Sequence, residues 1–286
     1  MIEGRRQTIN DRRPKMGRGH IFSVLRLLFS VLCLPMLFGC DASDDLTEGV
    51  KIGELAPANR RGSDLSVQFL RSTNIDIITY ELPVDKIADL DGVWQILSAG
   101  TLKYTDPNGF AANGLQAAMG VFGEKAKITE ILDSINAKKL STTSLLIQHS
   151  RVEVLELGRL SHKTEISYIG RTGAVENVEV GPAILGLEVY ARQLTGSPKV
   201  SRVQVTPAVL SATQGLPAEL AAKMRESDLR IYSAGFGLNM KPGDIIVLAP
   251  NLGKIADSTT AAGRFFVKMG TKPTVRVLLF ICTSIT

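Results

Sequence analysis

The chain has 286 residues, with 33 Lys and Arg against 28 Asp and Glu, and three cysteines. Seven of the basic and two of the acidic residues fall in residues 1–39, which leaves 26 of each sign in residues 40–286. The positive excess belongs to the first segment alone, and the neutral remainder, with no basic stripe interleaved by aromatics, argues against nucleic-acid binding.

Chain order starts with a basic stretch: Arg5, Arg6, Arg12, Arg13, Lys15 and Arg18. An apolar run follows from Ile21 to Phe38, broken by Arg26. Its unbroken part, Leu27 to Phe38, has the length of a signal h-region and falls short of a bilayer-spanning helix. Then comes Leu37-Phe38-Gly39-Cys40, which resembles the lipobox of a bacterial lipoprotein signal. The resemblance implies that residues 1–39 are removed and that Cys40 carries a diacylglycerol thioether. It also implies palmitate or another acyl chain, and a protein exported to the cell envelope and held at a membrane. Read from Met16, the signal takes a more usual length. The alternative is a retained N-terminal anchor, with Cys40 an ordinary thiol. Cys33 leaves with the signal and Cys40 goes to lipid, so Cys282 is left without a disulfide partner. It lies in an apolar run and is expected to be buried.

Residues 40–65 read as a flexible tether: Asp41, Asp44 and Asp45 come early, and Pro57, Asn59 and Gly62 follow without periodicity. Residues 66–149 read as a small α/β domain. Ile75 to Leu82 is β-branched and aromatic, hence a strand, ended by Pro83. Asp85 caps a predicted helix with Ile87, Leu90, Trp94 and Leu97 on its apolar stripe. Leu102–Thr105 is a short strand, Asp106-Pro107-Asn108-Gly109 a turn, and Gly114–Phe122 a strand. The clearest helix is Glu124–Ala137, expected to bury Ile128, Ile131 and Ile135. A strand over Leu140–Gln148 closes the unit, with two helices on one face of its sheet.

Residues 150–286 read as a β-rich domain, a sandwich or a curved sheet. Strand patterns recur at Val152–Leu157, Thr164–Ile169, Val175–Val180, Ile184–Ala191 and Val200–Val209. One helix is predicted at Ala218–Met224. Lys241-Pro242-Gly243-Asp244 has type II turn chemistry and is expected to join two antiparallel strands, the second at Ile245–Leu248. The final strand, Thr274–Ile285, is too apolar to be exposed on both faces. The fold class is therefore α+β.

Four stretches of this half resemble the C-terminal domain of secretins, the outer-membrane rings of secretion systems. They are Val203-Gln204-Val205-Thr206-Pro207, Gly243-Asp244 before Ile245–Leu248, Gly263-Arg264-Phe265-Phe266, and the closing Val277–Ile285. Ala249-Pro250 stands where that family has a double glycine. The resemblance implies a ring-forming, self-assembling protein of the envelope.

No catalytic motif is present. His149 and His162 have no second histidine or cysteine at ligand spacing. There is no Gly-x-Ser-x-Gly elbow, Gly235-Phe236-Gly237 lacks the third glycine of a dinucleotide fingerprint, and Gly120–Lys125 is no phosphate loop. Asp85, Asp89 and Asp91 suit a helix start and lack the calcium-loop pattern. No catalytic residue, metal or cofactor is assigned. The expected function is a lipid-anchored structural or binding module, not an enzyme, assembling with itself or with an envelope complex. A ligand-binding lipoprotein and a hydrolase with a scattered site are the alternatives.

Overall fold

The computed structural model describes residues 71–98, 101–213, 215–251 and 260–286. The expected signal, Cys40 and the expected tether lie outside the described residues. The strands are β1 (Ser72–Pro83), β2 (Lys103–Tyr104), β3 (Leu115–Gly120), β4 (Lys138–Gln148), β5 (Arg151–Leu160), β6 (Thr164–Ile169) and β7 (Val175–Val180). They continue as β8 (Ala183–Leu194), β9 (Ser197–Ser211), β10 (Leu229–Arg230), β11 (Phe236–Met240), β12 (Ile245–Pro250), β13 (Val267–Lys268) and β14 (Thr274–Ile285). The helices are α1 (Asp91–Ile96), α2 (Pro107–Ala112), α3 (Lys125–Ser134), α4 (Ala218–Arg225) and α5 (Ala261–Phe266).

The most apolar strands set the architecture. β14 turns Leu278, Phe280 and Cys282 to one side and Val275, Val277, Leu279 and Ile281 to the other, all buried. A strand wet on neither face must lie centrally. It does: the first sheet runs β3-β12-β14-β1-β4, with β13 also on β14. The second sheet runs β2-β11-β9-β8-β5, with β10 on β9, and β6 and β7 form a separate hairpin. All of these ladders are antiparallel.

One core lies between the two sheets, where Ile75, Ile77, Leu278 and Phe280 share a cluster with Leu187, Val189, Val203 and Val205. Phe110 of α2 joins it, in contact with Tyr104 at 4.7 Å and Phe236 at 5.7 Å between ring centroids. Phe265 and Phe266 of α5 do the same. A second core covers the opposite face of the first sheet, where Ile78, Tyr80 and Val277 meet Val93, Ile128 and Leu132. The fold is thus a β-sandwich with helices on one outer face, the α+β class expected.

Several local expectations change. The boundary near residue 150 does not separate two bodies. β1, β3 and β4 share a sheet with β12 and β14, and residues 66–286 form one unit. The first predicted helix begins as a 3-10 segment, Val84–Leu90, and becomes α-helical only over α1. In α3, Ile128 and Leu132 are buried, Ile135 at its C-cap is buried, and Ile131 is only partly covered. The turn read at Asp106–Gly109 is the start of α2, because Pro107 sits in its first turn, where a missing N–H costs nothing. The turn chemistry at Pro242-Gly243 is as read: Gly243 has φ +94° and the Asp244 N–H donates to the Lys241 carbonyl at 3.0 Å. Yet it joins β11 of one sheet to β12 of the other, so it forms a corner and not a hairpin.

Candidate functional site

β14 offers no free edge. Its edges are taken by β1 and β12, one face is under the helices and the other is inside the sandwich. The unpartnered backbone lies elsewhere. β4 pairs only with β1 and β5 only with β8, so each presents an edge with no strand partner among the described residues. His149 and Ser150 connect them, so both edges start from one corner; Ser150 takes φ +60° there.

The two edges differ in chemistry. On β5, Arg151 lies opposite Ala191 and Glu153 opposite Val189, on the side of the strand that faces the core, yet both are exposed. Charges on the inward side of an edge strand oppose further pairing. β4 has no such guard between Leu140 and Leu146: the stretch Leu-Ser-Thr-Thr-Ser-Leu-Leu is uncharged. Leu140 is 43% and Leu146 62% exposed. Lys138 and Lys139 stand at one end, and the Ser144 hydroxyl donates to Asp76 at 2.5 Å.

A second feature is a cavity of about 300 Å³ where β5, α5, β13 and β14 meet. Arg159, Arg264, Lys268 and Arg276 line it, and no acidic side chain does among the described residues. Glu156 pairs with Arg159 at 2.6 Å. No signal in the linear sequence marks these four basic residues, which come together from separate elements.

The residues singled out in the sequence do not converge. His149 Nδ1 accepts from the Gln193 N–H at 3.3 Å, while His162 is exposed beside the Ser161 hydroxyl. Asp89 pairs with Lys86 at 3.3 Å on the 3-10 segment, and Asp85 and Asp91 sit in first turns, where carboxylates suit the backbone dipoles. Trp94 is half-buried against the helix-side core. Cys282 is buried, and burial first, then the charge of Asp244, pushes its thiol up to about 12, which removes it as a nucleophile at neutral pH. No group of three His, Cys, Asp or Glu side chains fit to hold a metal is found among the described residues. No described helix is long and apolar enough to cross a membrane.

Comparison with protein-family models, curated proteins and solved structures gave no match.

Proposed function

We propose that this chain is a lipid-anchored protein of the bacterial cell envelope whose body, residues 66–286, is a binding and assembly module. The anchor rests on the segment pattern ending at Cys40. The assembly role rests on the β4 edge. An edge strand uncharged from Leu140 to Leu146, with two exposed leucines, is a template for β-augmentation, in which main-chain bonds supply affinity and alternate side chains supply fit. A second copy of the chain is the first partner to expect, in keeping with the secretin-like stretches in β9, β12 and β14. The module works by recognition and catalyses no reaction.

Two measurements test this. The full chain, expressed in a bacterium fed an alkyne fatty acid, takes up label, and Cys40→Ser does not. An unlabelled wild-type chain removes the anchor from the proposal. In detergent, light scattering gives an oligomer for the wild type and a monomer for Thr142→Lys, which sets a charge in the middle of the β4 edge. Thr142 is exposed, so the substitution leaves the fold intact. A wild-type monomer, or an oligomer unchanged by Thr142→Lys, contradicts assembly through β4.

A further inference from the structure

The cavity between β5, α5, β13 and β14 holds more positive charge than the described residues neutralise. Arg159 has its own carboxylate in Glu156. Lys268 is exposed and forms no ion pair among the described residues. Arg276 donates to the Leu157 carbonyl, a neutral partner, where β5 shifts register between Glu156 and Gly158. The nearest cross-strand acid, Glu81, lies opposite Arg276 on β1, accepts a bond from Thr274, and does not reach an ion pair. Arg264 stands out. It is the one partly exposed residue in a helix whose other residues are all buried. Its Nε is shut off from solvent and has no hydrogen-bond partner. A buried donor on a cation is among the costliest groups to leave unmatched. Three cations facing one cavity, none of them in an ion pair among the described residues, also repel one another.

We propose that this cavity binds a phosphate group, with Arg264, Lys268 and Arg276 as its ligands. Guanidinium forks match the geometry of tetrahedral oxyanions, and the three unneutralised cations suit a dianion better than a single carboxylate. The rest of the lining is apolar: Leu157, Leu160, Phe265, Val267 and the exposed Met269. A phosphate carrying an apolar or small organic substituent fits such a wall. The same chemistry is offered by a soluble phosphate monoester and by a phospholipid headgroup.

The test uses the full chain in detergent. Inorganic phosphate and short-chain phosphatidylglycerol below its micelle concentration are titrated separately, against chloride at matched ionic strength. Thermal unfolding and calorimetry report binding. A response to phosphate assigns a soluble ligand. A response to the phosphatidylglycerol probe alone assigns a headgroup. No response to either above chloride overturns the proposal. Arg264→Leu separates a ligand role from a structural one: it keeps or raises the unfolding temperature without phosphate and loses the phosphate response. An arginine needed only for packing gives the reverse result, and that overturns the proposal. Lys268→Gln, at an exposed position, leaves the fold untouched and weakens binding about tenfold or more, the cost of one charged hydrogen bond. Full binding by Lys268→Gln also counts against it.

Discussion

Asn113 is the point at which the β6–β7 hairpin is fastened to the sandwich. It is 2% exposed and follows α2. Its Oδ1 accepts the Ile169 N–H at 2.8 Å. Its Nδ2 donates to the Gly109 carbonyl at 2.8 Å, the Ser233 hydroxyl at 3.1 Å and the Ile169 carbonyl at 3.2 Å. Asn113→Ala removes both sides of this clamp. The acceptors do not all go bare, because the Gly109 carbonyl keeps the Asn113 N–H and the Ile169 carbonyl keeps the Ser233 hydroxyl. The Ile169 N–H loses its partner. That orphan costs about 1–3 kcal/mol, and each net bond lost adds roughly 1 kcal/mol. The expected total is about 2–4 kcal/mol, a large share of a typical domain stability of 5–15 kcal/mol. Urea unfolding followed by fluorescence should show a lower midpoint with an unchanged slope. Hydrogen exchange should speed up over 164–180 more than over β14. The hairpin stays docked, since Ile166 is fully buried and Ser167 bridges Thr260. A loss below about 1 kcal/mol would falsify the assignment of Asn113 as the fastening point.

Two other outcomes follow from single groups. Native Cys282 should resist maleimide at pH 8, with peptide mapping showing alkylation only after denaturant is added, because its thiol is buried and pushed up to about 12; rapid labelling of the native chain would place it at the surface. Tyr168 is likewise raised to about 12, by burial and by its bond to the Glu176 carboxylate. A raised acid group keeps its proton longer folded than unfolded. Its contribution is therefore whole below pH 10 and is lost as pH rises toward 12. Urea midpoints of Tyr168→Phe should thus fall less steeply over that window than those of the wild type, and parallel curves would exclude the tyrosine as the cause.

The strands were legible because their patterns are local. Thr164–Ile169, Val175–Val180 and Thr274–Ile285 have the bounds their residues announce, set by the turn at Gly170–Gly173 and by the apolar run at the end. The hairpin turn at Gly196, with φ +80°, is equally local. Which strands pair is not local. The Pro242-Gly243 turn has a fixed geometry, but its two flanking strands go to different sheets because the core takes Leu238 on one side and Ile246 on the other. The supposed domain boundary failed for the same reason: nothing in residues 66–149 shows that their sheet is completed by residues more than 90 positions away, as Gly120 with Ile245. The basic cavity was hidden most fully. Arg159 and Arg276 each look like an ordinary solvated charge in a strand, and only the ladders bring them to one place.

β1 pairs with β14 over its whole length, from Thr73 with Ile285 to Pro83 with Thr274. The strand made first in this body is therefore matched to the strand made last, and the interior between them opens to water until the match is made. Pairings of such sequence separation are slow to form, because nearly the entire loop must close before any contact rewards it. A nascent chain lacking residues 274–285 has β1 and β12 with no strand between them. Such a chain cannot complete its first sheet. Both cores lack their β14 side chains until the last strand is made, and exposed apolar surface with unpaired strand edges is the state that favours aggregation.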